Sequence, residues 1–457
     1  MEVGKAIKLE IEGYDMNGLG VAHVDGKIIF VSKALKDEIV LAEITSVHKK
    51  FCFAKTLKVI LPSVNRILSP CSYDEGCGGC DLLHMRYDVE CLVKEDKVRN
   101  AFRLLNKENS ILFQPIIRNK NIFGYRNKIM LPFGYDEDDN VIYGFYEKLS
   151  HSIISIDKCE ISNHYVNEVV EFIRKYVSVM HIKVYNETTH TGIFRGVMVR
   201  NNYKNEMMLV LICTKYYDFS GMLEYIKSDF PLVKSIFINI NPNKTNVMLS
   251  KEYIHIYQDK TIIEDILGLK FSVSAASFMQ VNHDVCELMY KEAFRMAKLN
   301  PEMNVIDAYC GMGSITLNIA KQVKHVYGIE IVEEAIVNAN YNKELNGISN
   351  ATFICGPCEE EIKKLVHKET IDCIFFDPPR KGCEQTFLDT VIEMKIPKII
   401  YISCNIATAV RDITYLTKNN YIVKEVTPCD LFSKTSHIEC VIRLDINLNF
   451  CFLFIDL

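Results

Sequence analysis

No stretch of this chain approaches the roughly 20 consecutive apolar residues that a helix needs to cross a bilayer, so a membrane-spanning protein is not expected. The first residues, Met1-Glu2-Val3-Gly4-Lys5, lack the charged-then-apolar order of a secretory leader. Both absences point to the cytoplasm. An excess of positive charge is missing as well: 53 Lys and Arg face 58 Asp and Glu, for a formal net charge of −5. That argues against a uniformly basic nucleic-acid coat and leaves room for a local basic surface. Internal repeats and low-complexity segments are absent. What is present is a globular composition, 49% hydrophobic and 24% charged, in a chain of 457 residues. Such a length exceeds one ordinary domain, and roughly two to four are expected.

Seventeen cysteines in a cytoplasmic chain are not expected to pair as disulfides. Most read as small core residues, so spacing has to pick out those with chemistry.

Residues 1–60 read as a small OB-like β-barrel. Ala6 to Glu12 has the period of a half-buried strand, and Asp25-Gly26 sits between two apolar runs as a hairpin turn. Two more strand-like runs follow, 38–44 and 51–60, with Lys49, Lys50, Lys55 and Lys58 favouring a nucleic-acid surface. Residues 61–275 read as a central α+β domain. It opens on a cysteine-rich loop at about 61–85, continues with one helix over 88–105, and carries a further helix around 164–180. Strand patterns return at 192–201 and 207–213. Residues 276–457 read as a doubly wound, Rossmann-like domain. Its strands fall at 305–308, 325–329, 351–355, 373–376 and 399–403, and a hairpin of 421–426 with 438–444 closes it. The apolar, Phe-rich end, 446–457, is expected to form a buried terminal strand.

Three strand ends in the last domain carry a cofactor signature. Asp307-Ala308-Tyr309-Cys310-Gly311-Met312-Gly313-Ser314 follows a strand and opens a helix, with glycines where a backbone must turn tightly and approach a ligand. Glu330 ends the next strand, as an acid that holds ribose hydroxyls would. Asp377-Pro378-Pro379-Arg380 ends the fourth. A dinucleotide fits the spacing, but the third glycine of that fingerprint is missing and no phosphate-binding Lys-Ser/Thr follows. S-adenosylmethionine, which needs no phosphate cradle, fits better. A fourth strand end, Ser403-Cys404-Asn405, places a thiol beside that cofactor as a nucleophile, and the helix that follows is expected to lower its pKa. Cys71, Cys77 and Cys80 form C-x5-C-x2-C in a glycine-rich loop whose low apolar content calls for metal or cluster ligation. The spacing departs from the C-x3-C-x2-C of radical S-adenosylmethionine enzymes. Cys91 lies in a helix outside the motif.

These motifs, with 278–282 (Phe-Met-Gln-Val-Asn) and 437–439 (His-Ile-Glu), resemble the RNA uracil-5-methyltransferase family over nearly the whole chain. The bacterial 23S rRNA branch, with its N-terminal TRAM barrel and iron–sulfur cluster, is the nearest likeness. The resemblance implies S-adenosylmethionine contacts at Gln280, Tyr309, Ser314, Glu330 and Asp377. It makes Cys404 the nucleophile toward uracil carbon 6 and Glu439 the base that removes the carbon 5 proton. It adds Cys159 as the fourth ligand of a [4Fe–4S] cluster with Cys71, Cys77 and Cys80, although zinc accepts the same set. Tyr125-Arg126-Asn127-Lys128 and Arg195 resemble positions lining the RNA pocket of the family, and Arg380 and Arg411 are expected to contact the RNA backbone or polarise the uracil carbonyl. Pro357 departs from the family, which offers an acidic or amide side chain to the adenine there. The implied substrate is a flipped uridine in a folded single-stranded loop of 23S rRNA, bound by a monomer. A tRNA substrate, or a non-catalytic RNA-binding assembly factor, are the alternatives.

Overall fold

The computed structural model describes residues 1–447 apart from 148, 149, 151 and 246. The terminal strand expected at 446–457 lies outside the described residues from 448 onward. No described helix is long and apolar enough to cross a membrane.

Six strands build the first unit: β1 (Ala6–Glu10), β2 (Gly13–Tyr14), β3 (Gly20–Val24), β4 (Lys27–Ser32), β5 (Ile39–Val47) and β6 (Phe51–Leu61). They hydrogen-bond in the order β1-β5-β6-β4-β3-β2. β2 continues β1 through a short bend in which Ile11 N donates to Glu38 O and Glu12 N to Val21 O. One bent strand therefore joins both sheet edges and closes the barrel, which removes exposed edges. Asp25 and Gly26 both take positive φ, 50° and 74°, as a two-residue hairpin turn requires. Alternate residues fill the interior, among them Ile29, Val31, Val40, Ala42, Cys52 and Ala54.

Where one helix is expected over 88–105, two form: α1 (Tyr87–Ala101) and α2 (Arg103–Asn109). The break falls at Phe102, which is fully buried. β7 (Leu112–Phe113) then pairs with a strand of the C-terminal sheet. Residues 87–113, grouped by sequence with the central domain, thus pack on the C-terminal one. Cys91, Val98, Phe102 and Leu105 join its core.

The central sheet contains β8 (Lys128–Tyr135), β9 (Val141–Tyr146), β10 (Ile153–Ser155), β11 (Phe194–Asn201), β12 (Met207–Cys213), β13 (Val233–Ile240) and β14 (Tyr253–Gln258), in the order β10-β9-β8-β11-β12-β13-β14. α3 (His164–Val179) and α4 (Ser220–Asp229) are its helices. Val166, Val169, Val170, Ile173 and Val177 form the buried stripe of α3 at helical spacing. β11 and β12 are buried along their whole length. One face meets α3 and α4; on the other, Met198, Met208 and Val210 join the core of the C-terminal domain.

A hairpin, β15 (Ile262–Ile266) and β16 (Leu269–Val273), leads into α5 (His283–Ala297). Strand and helix then alternate: β17 (Asn304–Ala308), α6 (Ser314–Ala320), β18 (His325–Glu330), α7 (Glu333–Leu345), β19 (Ala351–Cys355), α8 (Cys358–Val366), β20 (Cys373–Phe376), α9 (Gln385–Glu393), β21 (Lys398–Ser403) and α10 (Ile406–Lys418). β22 (Tyr421–Cys429) and β23 (Glu439–Ile446) close the sheet, in the order β19-β18-β17-β20-β21-β23-β22-β7. The order reverses beside β17, so a ligand crevice is expected at the carboxyl ends of β17 and β20. β23 runs antiparallel to β21, with Ser403 opposite Cys440. The first residue of β23, Glu439, therefore lies at the same edge as the last of β21. A chain-remote acid and Cys404 are brought together by strand direction alone.

Candidate active site

One cavity of about 1040 Å³ opens along that edge. Gln280, Tyr309, Gly311, Glu330, Asp377, Arg380, Cys404, His437 and Glu439 all line it.

On the β17–β18 side, the turn after β17 is held by Glu330. Its Oε2 accepts from Gly311 N at 3.2 Å and its Oε1 from Val332 N at 3.0 Å. Two backbone amides thus fix the carboxylate at the cavity wall. Gly313 has φ of 84°, and a Cβ there would stand 2.6 Å from the Phe353 ring, so a side chain is excluded on both counts. Asp307 is buried with Thr316 Oγ1 donating to its Oδ2 at 2.5 Å. Burial pushes its carboxyl up to about 7. Ser314 does not line the cavity; its hydroxyl is 3.1 Å from the Tyr290 hydroxyl. Pro357 also lies off the cavity, as the cap residue of α8. The exposed Ile331 takes a place in the wall.

At β20 and β21, Gln280 Nε2 donates to Asp377 Oδ2 at 3.2 Å. Burial raises the Asp377 carboxyl to about 7, against that hydrogen bond. Asn405 caps α10, its side chain accepting from Ala407 N at 3.1 Å. The same side chain donates to Arg380 O at 3.0 Å, tying the Asp-Pro-Pro-Arg turn to the cysteine turn. Arg380 Nη2 donates to His437 Nδ1 at 3.2 Å.

The half-buried Cys404 thiol is pushed up to about 11. Burial is the main cause, and the charges of Glu439 and Asp377 add to it, while Arg380 opposes. The direction is opposite to the lowering expected from the helix that follows: burial comes first, and the two acids add to it. Glu439 is buried, its carboxyl raised well above the usual range by burial and then by Asp377, with Arg380 opposing. Its Oε2 is buried without a hydrogen-bond partner, an unsatisfied oxygen in a residue that lines the cavity.

Cys71, Cys77, Cys80 and Cys159 line the same cavity at its other end. Burial raises all four thiols, and for Cys80 the charges of the other three add to it. Backbone amides point back at three of the sulfurs: Tyr73 at Cys71, Gly79 at Cys77, and Ile161 with Ser162 at Cys159. Three of the four sulfurs thus collect N–H donors, as the sulfurs of a cluster do. Among the described residues, no three His, Cys, Asp or Glu side chains converge closely enough to hold one metal ion. A single zinc would need its sulfurs about 2.3 Å away. Lys33 pairs with Asp74, Tyr73 Oη donates to Asp157 Oδ1 at 2.8 Å, and Cys77 bridges Glu147. The loop is thus pinned to barrel and central sheet.

Residues 87–446 match the family model described as tRNA (Uracil-5-)-methyltransferase, and residues 1–57 match the TRAM domain. The chain belongs to the tRNA (uracil-5-)-methyltransferase family. An uncharacterised RNA methyltransferase of Halalkalibacterium halodurans is 36% identical over 444 residues, covering 96% of this chain and 97% of the relative. One of Oceanobacillus iheyensis is 37% identical over 446 residues, with 96% of each covered. The crystal structure of a Pyrococcus abyssi tRNA (uracil-54, C5)-methyltransferase with S-adenosyl-L-homocysteine has the same fold. Its TM-score is 0.76 at 24% identity, over 96% of this chain and 99% of that one.

In this family member the candidate RNA-facing residues divide. Arg126 lines the cavity. Tyr125 and Asn127 are buried, donating to Ser433 O at 2.9 Å and Gln280 O at 3.0 Å. Lys128 is half-buried off the cavity wall. Arg195 is turned inward, its guanidinium donating to the carbonyls of Asn241, Asn243 and Thr245 at 2.9–3.1 Å. It holds a loop and does not line the cavity. Arg411 binds Asp412 and the carbonyls of Lys381 and Cys383. Among the further lining residues with no assigned role are Phe278 (73% exposed), His437 and Ile331. The signal for the first two was their place in the motif runs; for Ile331, its place directly after Glu330.

Proposed function

We propose that the protein methylates carbon 5 of a uridine in 23S rRNA, using S-adenosylmethionine and a covalent adduct between Cys404 and uracil carbon 6. The observation that carries this reading is one cavity lined by a thiol, an unpartnered buried acid and the strand-end acids of a methyltransferase-like sheet. S-adenosylmethionine, when bound, supplies the methyl group. Glu330, fixed by two amides, accepts ribose hydroxyls, and Gly311 leaves the backbone open to the ligand.

The Cys404 thiolate adds to carbon 6, and the C5–C6 π electrons move toward the C4 carbonyl, which makes carbon 5 nucleophilic. Once carbon 5 carries the methyl group, Glu439 takes its proton; the C5–C6 double bond re-forms and the sulfur leaves. Arg380, whose charge lowers both the Cys404 thiol and the Glu439 carboxyl, favours the ionised forms that each role requires.

Cys71, Cys77, Cys80 and Cys159 hold a [4Fe–4S] cluster that orders the loop between the three domains. The amide donors at the sulfurs support it. Mapping 5-methyluridine in rRNA from a strain lacking the gene tests the substrate. Loss of one or more sites in 23S rRNA is expected; unchanged 23S rRNA with loss in tRNA would move the reading to tRNA.

A further inference from the structure

The barrel bears an apolar face that the catalytic cavity does not use. β4 and β6 are parallel neighbours, in register as Ile28 with Phe51, Phe30 with Phe53 and Ser32 with Lys55. Their intervening residues, Ile29, Val31, Cys52 and Ala54, fill the core, so this ladder points outward. The aromatic rings form one cluster: Phe51 and Phe53 centroids lie 5.6 Å apart, Phe30 lies 5.5 Å from Phe53, and the His48 ring stacks on Phe51 at 4.4 Å. Phe53 is 37% exposed, as is Ile28, and His48 is exposed as well. A phenylalanine and an isoleucine exposed on a sheet face, beside the half-buried Phe30 and Phe51, form an apolar patch without an occupant.

Charge indicates which occupant. Lys49, Lys50 and Lys55 are exposed around the cluster, and Lys27 Nζ donates to His48 O at 3.3 Å from its rim. The ladder also has a direction. Lys33, directly after Ser32, pairs with Asp74, which lines the catalytic cavity. The Ser32–Lys55 end is therefore the end nearest the cavity, and the rings lie further out along the same strands.

We propose that Phe30, Phe51, Phe53 and His48 form a stacking platform for single-stranded RNA flanking the target uridine, with the bordering lysines on its phosphates. The proposal rests on the RNA methyltransferase reading and adds where the strand runs outside the cavity. Bases have π faces whatever their identity, so the platform holds unpaired RNA without reading its sequence. A duplex, with its bases stacked inside, gains nothing from it.

The test compares the full-length protein with the double variant Phe51→Ala/Phe53→Ala and, to guard against misfolding, Phe51→Leu/Phe53→Leu, which keeps apolar bulk without rings. Fluorescence anisotropy is read with a single-stranded oligoribonucleotide and with a duplex of the same sequence. The expected result is a rise in Kd for the single strand of about tenfold or more, with duplex binding unmoved. The rate of covalent adduct formation with 5-fluorouridine RNA at saturation stays unchanged. Single-strand affinity that stays within about twofold in the Leu variant overturns the platform, and so does equal weakening for the duplex. No adduct with any RNA in the unaltered protein instead removes the methyltransferase reading, so the two failures are distinguishable.

Discussion

Gln280 donates its side-chain amide to Asp377 at 3.2 Å, joining the segment before α5 to the end of β20. It is a single hydrogen bond to a carboxyl that burial has raised to about 7. The native Asp377 therefore keeps its proton where the unfolded chain has lost it. Between about pH 4 and pH 7 the native state binds more protons than the unfolded one, so stability falls as pH rises through that window. Asp307, raised to about 7 by burial, acts in the same direction. Asp377→Asn removes its share: the variant is expected to be more stable than wild type at about pH 8, by on the order of 4 kcal/mol, and equal near pH 4. Urea titrations at both values check this. Methyl transfer by the variant should fall even as it gains stability.

A second prediction concerns Lys94. Its fully buried ammonium donates to Glu90 at 2.9 Å, Asp430 at 2.6 Å and the Phe432 carbonyl at 3.2 Å. These bonds anchor the loop between β22 and β23 to α1. Lys94→Met leaves Glu90 and Asp430 buried, with Lys434, 3.2 Å from Glu90, as the remaining cation. The expected loss is about 3–5 kcal/mol, seen as a lower urea midpoint. A loss below about 1 kcal/mol would mean that the network relaxes around the gap.

A third concerns Gly313. With φ at 84° and Phe353 Cζ 2.6 Å from where a Cβ would sit, Gly313→Ala costs about 1–2 kcal/mol of backbone strain and displaces the ring. Calorimetric titration with S-adenosylhomocysteine should show affinity weakened by about tenfold, that strain being spent on the bound geometry.

A fourth concerns the cysteine loop. Anaerobically purified wild-type protein should absorb in the visible and contain iron; Cys80→Ala and Cys159→Ala should lose both. A colourless wild type with stoichiometric zinc would replace the cluster with a metal ion.

Much of this architecture was legible in the sequence because it is local. Asp25-Gly26 dictates its hairpin through two positive φ angles. The alternating runs from 305 onward become β17–β21 because buried parallel strands are continuous apolar stretches. What escaped reading depends on distant partners. Leu112–Phe113 is too short for any periodic signal, yet β22 offers it an edge. Phe102 interrupts a helix without glycine or proline, its buried ring lying 6.3 Å from Phe113. Arg195 and Arg126 look alike as cations, and carbonyls 46–50 residues further on decide that Arg195 turns inward. The Cys404 thiol reads as activated from its following helix alone. Its raised pKa comes from burial and from Glu439, 35 residues later and adjacent only because β23 runs backwards.

The proposed chemistry turns on a bond between Cys404 and uracil carbon 6. Incubating the protein with S-adenosylmethionine and a 23S rRNA fragment carrying 5-fluorouridine tests it most directly, because fluorine at carbon 5 cannot leave as a proton and the adduct is trapped. A denaturation-resistant protein–RNA complex is expected, with mass spectrometry placing the nucleotide on the peptide that contains Cys404. The complex should vanish in Cys404→Ala. Glu439→Gln should accumulate it even with unsubstituted RNA. A complex that persists in Cys404→Ala, or maps to another cysteine, would contradict the account.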